Sequence, residues 1–144
     1  MPRNRRPLTR SEVMSRIRGR DTGPELALRR ALWATGLRFR AQWRHPFAGR
    51  IDVAFPRLRI AVLVDGCFWH GCPAHGVQPK TNSAFWTGKL ANNQARDARQ
   101  TLALVRSGWM VVRCWEHEVE VAGELAALVE RVRMLVAFRK GSTP

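Results

Sequence analysis

The apolar positions of this chain keep helical spacing in some stretches and form short strand-like runs in others, and the switches between the two lay out its elements. Leu28, Ala31 and Leu32 recur at helical spacing. Asp21-Thr22-Gly23 gives that helix a start, Pro24 suits its first position, and Gly36 is placed to end it after Thr35. Three short runs follow, from Leu37 to Trp43, from Ile51 to Phe55 and from Arg59 to Val64, punctuated by Pro46, Gly49 and Pro56. Their short connections predict an antiparallel meander. A long helix is predicted from Phe85 to Ser107, with Ala91, Ala95, Ala98, Leu102 and Val105 as its apolar stripe and Gly108 as its stop. Trp109 to Trp115 reads as another strand, and the helix before it makes it a parallel neighbour of Arg59 to Val64 through a right-handed crossover. A last helix, Val119 to Phe138, buries Leu125, Leu128, Val129, Val132 and Val136. The predicted architecture is α/β, a central mixed sheet flanked by helices.

Residues 1–12 break this pattern: Arg3, Arg5, Arg6 and Arg10 alternate with Pro2 and Pro7, which predicts a flexible basic arm ahead of one domain spanning 13–144. From Ser11, a plausible cap, Val13, Met14 and Ile17 lie between Arg16, Arg18 and Arg20 as a short amphipathic helix, suited to lie on DNA or to pack on the domain. No apolar run approaches the length that spans a bilayer and no signal segment opens the chain, so a soluble cytoplasmic protein is expected. Charge sharpens the picture. Lys and Arg number 25 against 11 Asp and Glu, and most of the excess is arginine, whose planar fork suits phosphates and base edges. Nucleic acid is the expected partner. Six tryptophans on so basic a chain offer flat rings for stacking on bases, although Trp33, Trp43 and Trp109 sit in apolar patterns and read as core.

Chemistry concentrates between Val62 and His75, where a buried-strand pattern gives way at Asp65-Gly66 to two cysteines, two histidines and a Phe-Trp pair. Cys67-x4-Cys72-x2-His75 has the spacing of a tetrahedral zinc site, and Cys114 on the following strand is the expected fourth ligand. His117, at Cys114-x2-His117, competes with His75 for the last position. The plainer account is three buried free cysteines in a reducing compartment. Asp52 interrupts the apolar segment Ile51-Asp52-Val53-Ala54-Phe55, so it either pairs with a cation, holds a metal ion, or alternates out to water. His70 is sterically awkward as a further zinc ligand, which frees it to act as a general base oriented by a carboxylate such as Asp97. Glu25 also reads as a first-turn carboxylate favoured by the helix dipole.

Thr22-Gly-Pro-Glu25-Leu26, Gly49-Arg-Ile-Asp52, Asp65-Gly-Cys-Phe-Trp-His70, Lys80-Thr-Asn82, Phe85-Trp86, Asn92-Asn93 with Arg96-Asp97, and Gly108-Trp109 through Trp115-Glu116 occur in this order. In that series the chain resembles the very short patch repair (Vsr) DNA mismatch endonucleases from about Arg10 to Glu116. The resemblance implies a restriction-endonuclease-like fold with a structural Zn²⁺, and Mg²⁺-dependent nicking of one strand 5′ to the thymine of a T:G mismatch, the product of 5-methylcytosine deamination. It implies that Asp52 binds the magnesium together with the backbone carbonyl of Val64, that His70 is the general base with Asp97 as its partner, and that Glu25 organises metal-bound water. Phe68, Trp69 and Trp86 match aromatics that wedge into the duplex, and Met14 and Ile17, with Arg18 beside them, match a helix that approaches from the other groove. Asp65 stands where some members of the family carry histidine. The implied partner is double-stranded DNA with a T:G mismatch, met by a monomer working near the nucleoid alongside repair-pathway proteins. Two other readings compete: a zinc-containing DNA-binding module without catalysis, and a restriction-type nuclease on matched DNA.

Overall fold

The computed structural model describes residues 22–67, 72–73 and 83–141. Helix α1 (Gly23–Ala34) begins where the Thr22 side chain accepts the Glu25 amide at 3.4 Å, and it closes at Gly36, whose φ of 92° only glycine adopts without strain. Strands β1 (Arg40–His45), β2 (Gly49–Phe55) and β3 (Ile60–Asp65) form the expected meander. Helix α2 (Ser83–Arg106) then carries the chain across to β4 (Met110–Trp115), which pairs parallel with β3 from Ile60↔Met110 to Asp65↔Trp115. The sheet order is β1-β2-β3-β4.

The turn between β1 and β2 is held from inside. Nδ1 of buried His45 accepts the amides of Phe47 (3.2 Å) and Ala48 (3.1 Å), while its ring packs between Trp43 and Trp109. The predicted last helix divides in two, α3 (Glu116–Glu120) and α4 (Ala122–Gly141), because Val121 is extended (φ −95°, ψ 120°). This break sets His117 in a short helix of its own at the end of β4.

Helices cover both faces of the sheet. On one face Leu28 and Leu32 of α1 and Leu128, Val129, Val132 and Val136 of α4 pack on Val53, Phe55, Ile60, Val62 and Val112. On the other, Leu104 of α2 and Trp109 pack on Ile51, Ala54, Ala61 and Leu63. Here the sequence expectation fails in one respect: the stripe of Ala91, Ala95, Ala98, Leu102 and Val105 is exposed. The side of α2 turned to the sheet carries Leu90, Asn93, Asp97, Gln100 and Leu104, so polar groups occupy most of it. A helix that lines a polar cleft inverts the usual pattern, and periodicity alone reports the apolar side.

The basic arm and the segment with Met14, Ile17 and Arg18 lie outside the described residues. Among the described residues no helix is long and apolar enough to cross a membrane.

Candidate functional site

The sheet comes apart around Asp52. Pairing between β2 and β3 runs from Phe55↔Ile60 to Val53↔Val62 and goes no further along β2. Beyond it, the Asp52 carboxylate takes over the role of a backbone acceptor, with Oδ2 receiving the Val64 amide at 2.9 Å. The period-2 alternation of β2 also slips here. Phe55 and Val53 face the α1/α4 layer and Ala54 the α2 layer, yet Ile51 lies with Ala54. Asp52 therefore sits at a kink where two strands splay, and it is buried, which excludes the reading that it alternates out to water.

Burial and the neighbouring Glu25 push the Asp52 carboxyl up to about 6, against the lowering effects of the Val64 N–H and the Arg50 charge. Glu25 is itself buried at the start of α1. Its Oε2 accepts from the Arg29 guanidinium at 3.3 Å and from the Gln42 amide at 3.0 Å. A buried carboxyl whose proton affinity is raised by burial and by a neighbouring acid is relieved by a cation beside it, and hard oxygen donors of this kind suit Mg²⁺. Asp52, Glu25 and the Val64 carbonyl fit that ion as a donor set.

Both acids line a cleft of about 680 Å³ whose far wall is α2. Asp97 and Asn93 face it from α2, and Arg50, Lys89 and Arg96 bring positive charge to it. Arg113 on β4 is wired into this wall. Its guanidinium meets Asp65 Oδ1 at 2.8 Å, Gln100 Oε1 at 2.7 Å, the Asp97 carbonyl at 3.1 Å and Thr101 Oγ1 at 2.8 Å. Asp65 is thus a counter-ion that locks β3 to β4 and, through Arg113, to α2. Gln100 also donates to the Ala48 and Arg50 carbonyls, tying α2 to the β1–β2 turn. Sequence reading missed Arg113, Gln100 and Gln42. Arg113 carried a usable signal, since it is the lone charge in an apolar strand, as Asp52 is in the run Ile51 to Phe55.

The second cluster lies past the ends of β3 and β4. Sγ of Cys67 and Sγ of Cys72 stand 3.3 and 3.6 Å from Nδ1 of His117, and the three ligand atoms lie within 4.8 Å of one another. Tetrahedral zinc with ordinary Zn–S and Zn–N bonds places such atoms about 3.5 Å apart, so these residues fit the ion. The loop that presents them is closed by Cys72 N–H donating to the Cys67 carbonyl (2.9 Å), and Glu116 Oε1 accepts the Cys67 amide (3.0 Å). Burial raises the Cys67 thiol to about 11, which a bound cation would reverse by taking the thiolate.

This cluster corrects the expected ligand set. Cys114 is not in it: alternation along β4 turns its side chain, like that of Val112, into the α1/α4 core, where its thiol donates to the Leu63 carbonyl at 3.5 Å. Buried there, the thiol is pushed up to about 12 and behaves as a small apolar group. His117, the competitor named from spacing, joins the two cysteines instead. His75, His70, Phe68 and Trp69 lie outside the described residues. Trp86, matched above to the wedging aromatics, lies near the start of α2. Trp86 is buried, and its T-shaped partner Phe85 is the exposed ring of the pair, because successive helical residues point about 100° apart.

A mixed sheet that splays at a buried aspartate, with acids and basic side chains lining one cleft, is an α/β arrangement suited to phosphodiester chemistry. Residues 5–75 match the family described as DNA mismatch endonuclease Vsr. The chain is 41% identical over 130 residues to the type II nicking enzyme V.NaeI of Lentzea aerocolonigenes, covering 88% of this chain and 78% of that one. It is 37% identical over 130 residues to the type II nicking enzyme V.XorIIP of Xanthomonas oryzae, covering 88% and 93%. With the DNA mismatch endonuclease Vsr of Escherichia coli it shares 37% over 128 residues, covering 86% and 81%. The chain belongs to the Vsr family, and its activity is that of a DNA endonuclease.

Proposed function

We propose that this endonuclease nicks one strand of duplex DNA 5′ to the thymine of a T:G mismatch, on a restriction-endonuclease-like fold, with Mg²⁺ in the cleft and a structural Zn²⁺ on the Cys/His cluster. The observation that carries the reading is the buried pair Asp52 and Glu25 at the splay of β2 and β3, where burial and mutual repulsion favour a cation. Asp52, the Val64 carbonyl and, through water, Glu25 would hold magnesium, which when bound supplies charge stabilisation to the phosphate under attack. The chain's own residues do the rest. His70 takes the proton of the attacking water, and Asp97 orients the imidazole and stabilises its cation. Arg50, Lys89 and Arg96 bind the phosphodiester backbone, which supplies affinity without sequence information. Cys67, Cys72 and His117, completed by His75, would hold the zinc and thereby tie down the segment that carries Phe68, Trp69 and His70.

Mismatch preference follows from that loop. Rings placed in sequence between two zinc ligands would lose little freedom on insertion, and unstacking is cheaper where pairing is already weak. The test is a gel assay with Mg²⁺ on duplexes that differ only in T:G against T:A. A nick 5′ to the mismatched thymine, absent without Mg²⁺ and with Asp52→Ala, supports the proposal. Equal cutting of both duplexes would replace it with a nuclease on matched DNA, and tight binding without cutting would replace it with a binding module.

A further inference from the structure

In β1 the backbone turns left-handed at Gln42, with φ 53°, a conformation that non-glycine residues rarely adopt. The ladder to β2 continues on both sides in one unbroken register, Ala41↔Val53 and Trp43↔Ile51, so Gln42 falls opposite Asp52 in a pair that the register steps over. This is not a bulge: no residue is added, and no pairing downstream is shifted. The register is the same on both sides of the kink, which lies opposite the position where the alternation of β2 slips. What the kink yields at the cleft is an amide N–H on Oε2 of Glu25, at 3.0 Å, from a residue that does not itself line the cleft.

We propose that Gln42 is a positioning residue, its kinked backbone aiming the side-chain amide at Glu25 and fixing how that carboxylate faces Asp52 and the cleft. This rests on the reading of the cleft as a metal-assisted nuclease centre. Arg29 already brings a cation to the same oxygen, so Gln42 adds no charge that Glu25 lacks. It adds a second direction of constraint, from a strand instead of from α1, and two donors on one oxygen leave the carboxylate little freedom to turn. Glycine would adopt this backbone without strain. A long amide side chain at a position that favours glycine is what a positioning role requires, and the strain is the cost of holding it there.

The experiment compares the natural chain with Gln42→Gly, which relieves the backbone and removes the donor, and Gln42→Met, which keeps the bulk but has no N–H. Four quantities are read: thermal midpoint, duplex affinity without divalent cation, Mg²⁺ binding to DNA-free protein by titration calorimetry, and single-turnover cleavage. We expect Gln42→Gly to melt no lower than the natural chain and to bind DNA within about twofold, while cleavage falls about tenfold or more, the usual scale for a lost supporting hydrogen bond. Mg²⁺ binding should weaken in both variants. In a Glu25→Ala background neither substitution should slow cleavage further. Natural Mg²⁺ binding and cleavage in Gln42→Met and Gln42→Gly, with Asp52→Ala inactive, would overturn the proposal alone; so would losses that multiply with that of Glu25→Ala. Normal cleavage by Asp52→Ala would overturn the metal-centre reading, and this proposal with it.

Discussion

The cleft and the Cys/His cluster are both places where this fold gathers ligand-type side chains, and they are built in opposite ways. Asp52 is set by its own strand: the meander that places it spans neighbouring residues, and the Val64 amide that fixes it comes from the next strand. The cluster joins Cys67 to His117, 50 positions away, and it sits on a loop and the first turn of a short helix, with no ladder of its own. Oxygen donors on a rigid frame suit an ion that must keep open positions for water and phosphate, whereas sulfur and imidazole donors on a loop suit an ion that closes its own shell. One centre should therefore fail in chemistry when damaged, and the other in folding.

The sharpest break in that contrast is Asp52→Ala. Cleavage should fall to background while duplex affinity, carried by arginine contacts, stays close to that of the natural chain in a filter-binding or anisotropy titration. Stripping zinc, or Cys67→Ala or His117→Ala, should do the reverse first and lower the thermal midpoint by about 10 °C or more in calorimetry. A nuclease that loses activity but no stability on metal removal would erase the distinction.

A third effect separates the cleft from the core around it. The metal-free Asp52 carboxyl titrates at about 6 in the folded chain against 3.8 as the ordinary value, so the folded state holds this proton more tightly than the unfolded chain does. Its stabilising contribution is therefore complete below about pH 4 and is lost as pH rises through 6. Asp52→Asn, which does not titrate, should gain on the natural chain by about 2–3 kcal/mol at pH 8 relative to pH 4 in chelator-treated urea titrations. Mg²⁺ should shrink the gain, because an ion at the carboxylate takes over from the proton. The smallest effect belongs to Cys114→Ala, about 1 kcal/mol from a lost sulfur in a packed layer. A zinc-sized loss there would return Cys114 to the cluster.

These contrasts also mark what could be read from sequence. The meander, the parallel crossover and the burial of Asp52 were legible because each rests on short-range pattern: apolar runs, turn residues, and a charge interrupting a strand. His117 against Cys114 was not. Spacing brings both to the same end of the sheet, and only the phase of β4 decides that Cys114 points into the α1/α4 core while His117 lies past the strand. The stripe of α2 misled for a related reason, since Asn93, Asp97 and Gln100 occupy the sheet-facing side that core packing would otherwise claim. Gln42 left no trace, because a left-handed backbone at glutamine contradicts its ordinary preference.

The parallel pairing of β3 with β4 has a consequence for the order in which the enzyme comes into being. A chain emerging from the ribosome completes β1 to β3, and with them Asp52 and Glu25, well before Arg113 and His117 are made. Asp65 waits for Arg113 across 48 residues, and Cys67 for His117 across 50, so both are long-loop closures that follow local hairpin formation. Until β4 docks, the cleft lacks Arg113, the residue that locks its wall, and the Cys/His cluster lacks a ligand. On the proposed reading of the cleft, the capacity to cut DNA would be deferred until β4 is made, and an unfinished polypeptide would carry the acids of a nuclease without the means to use them.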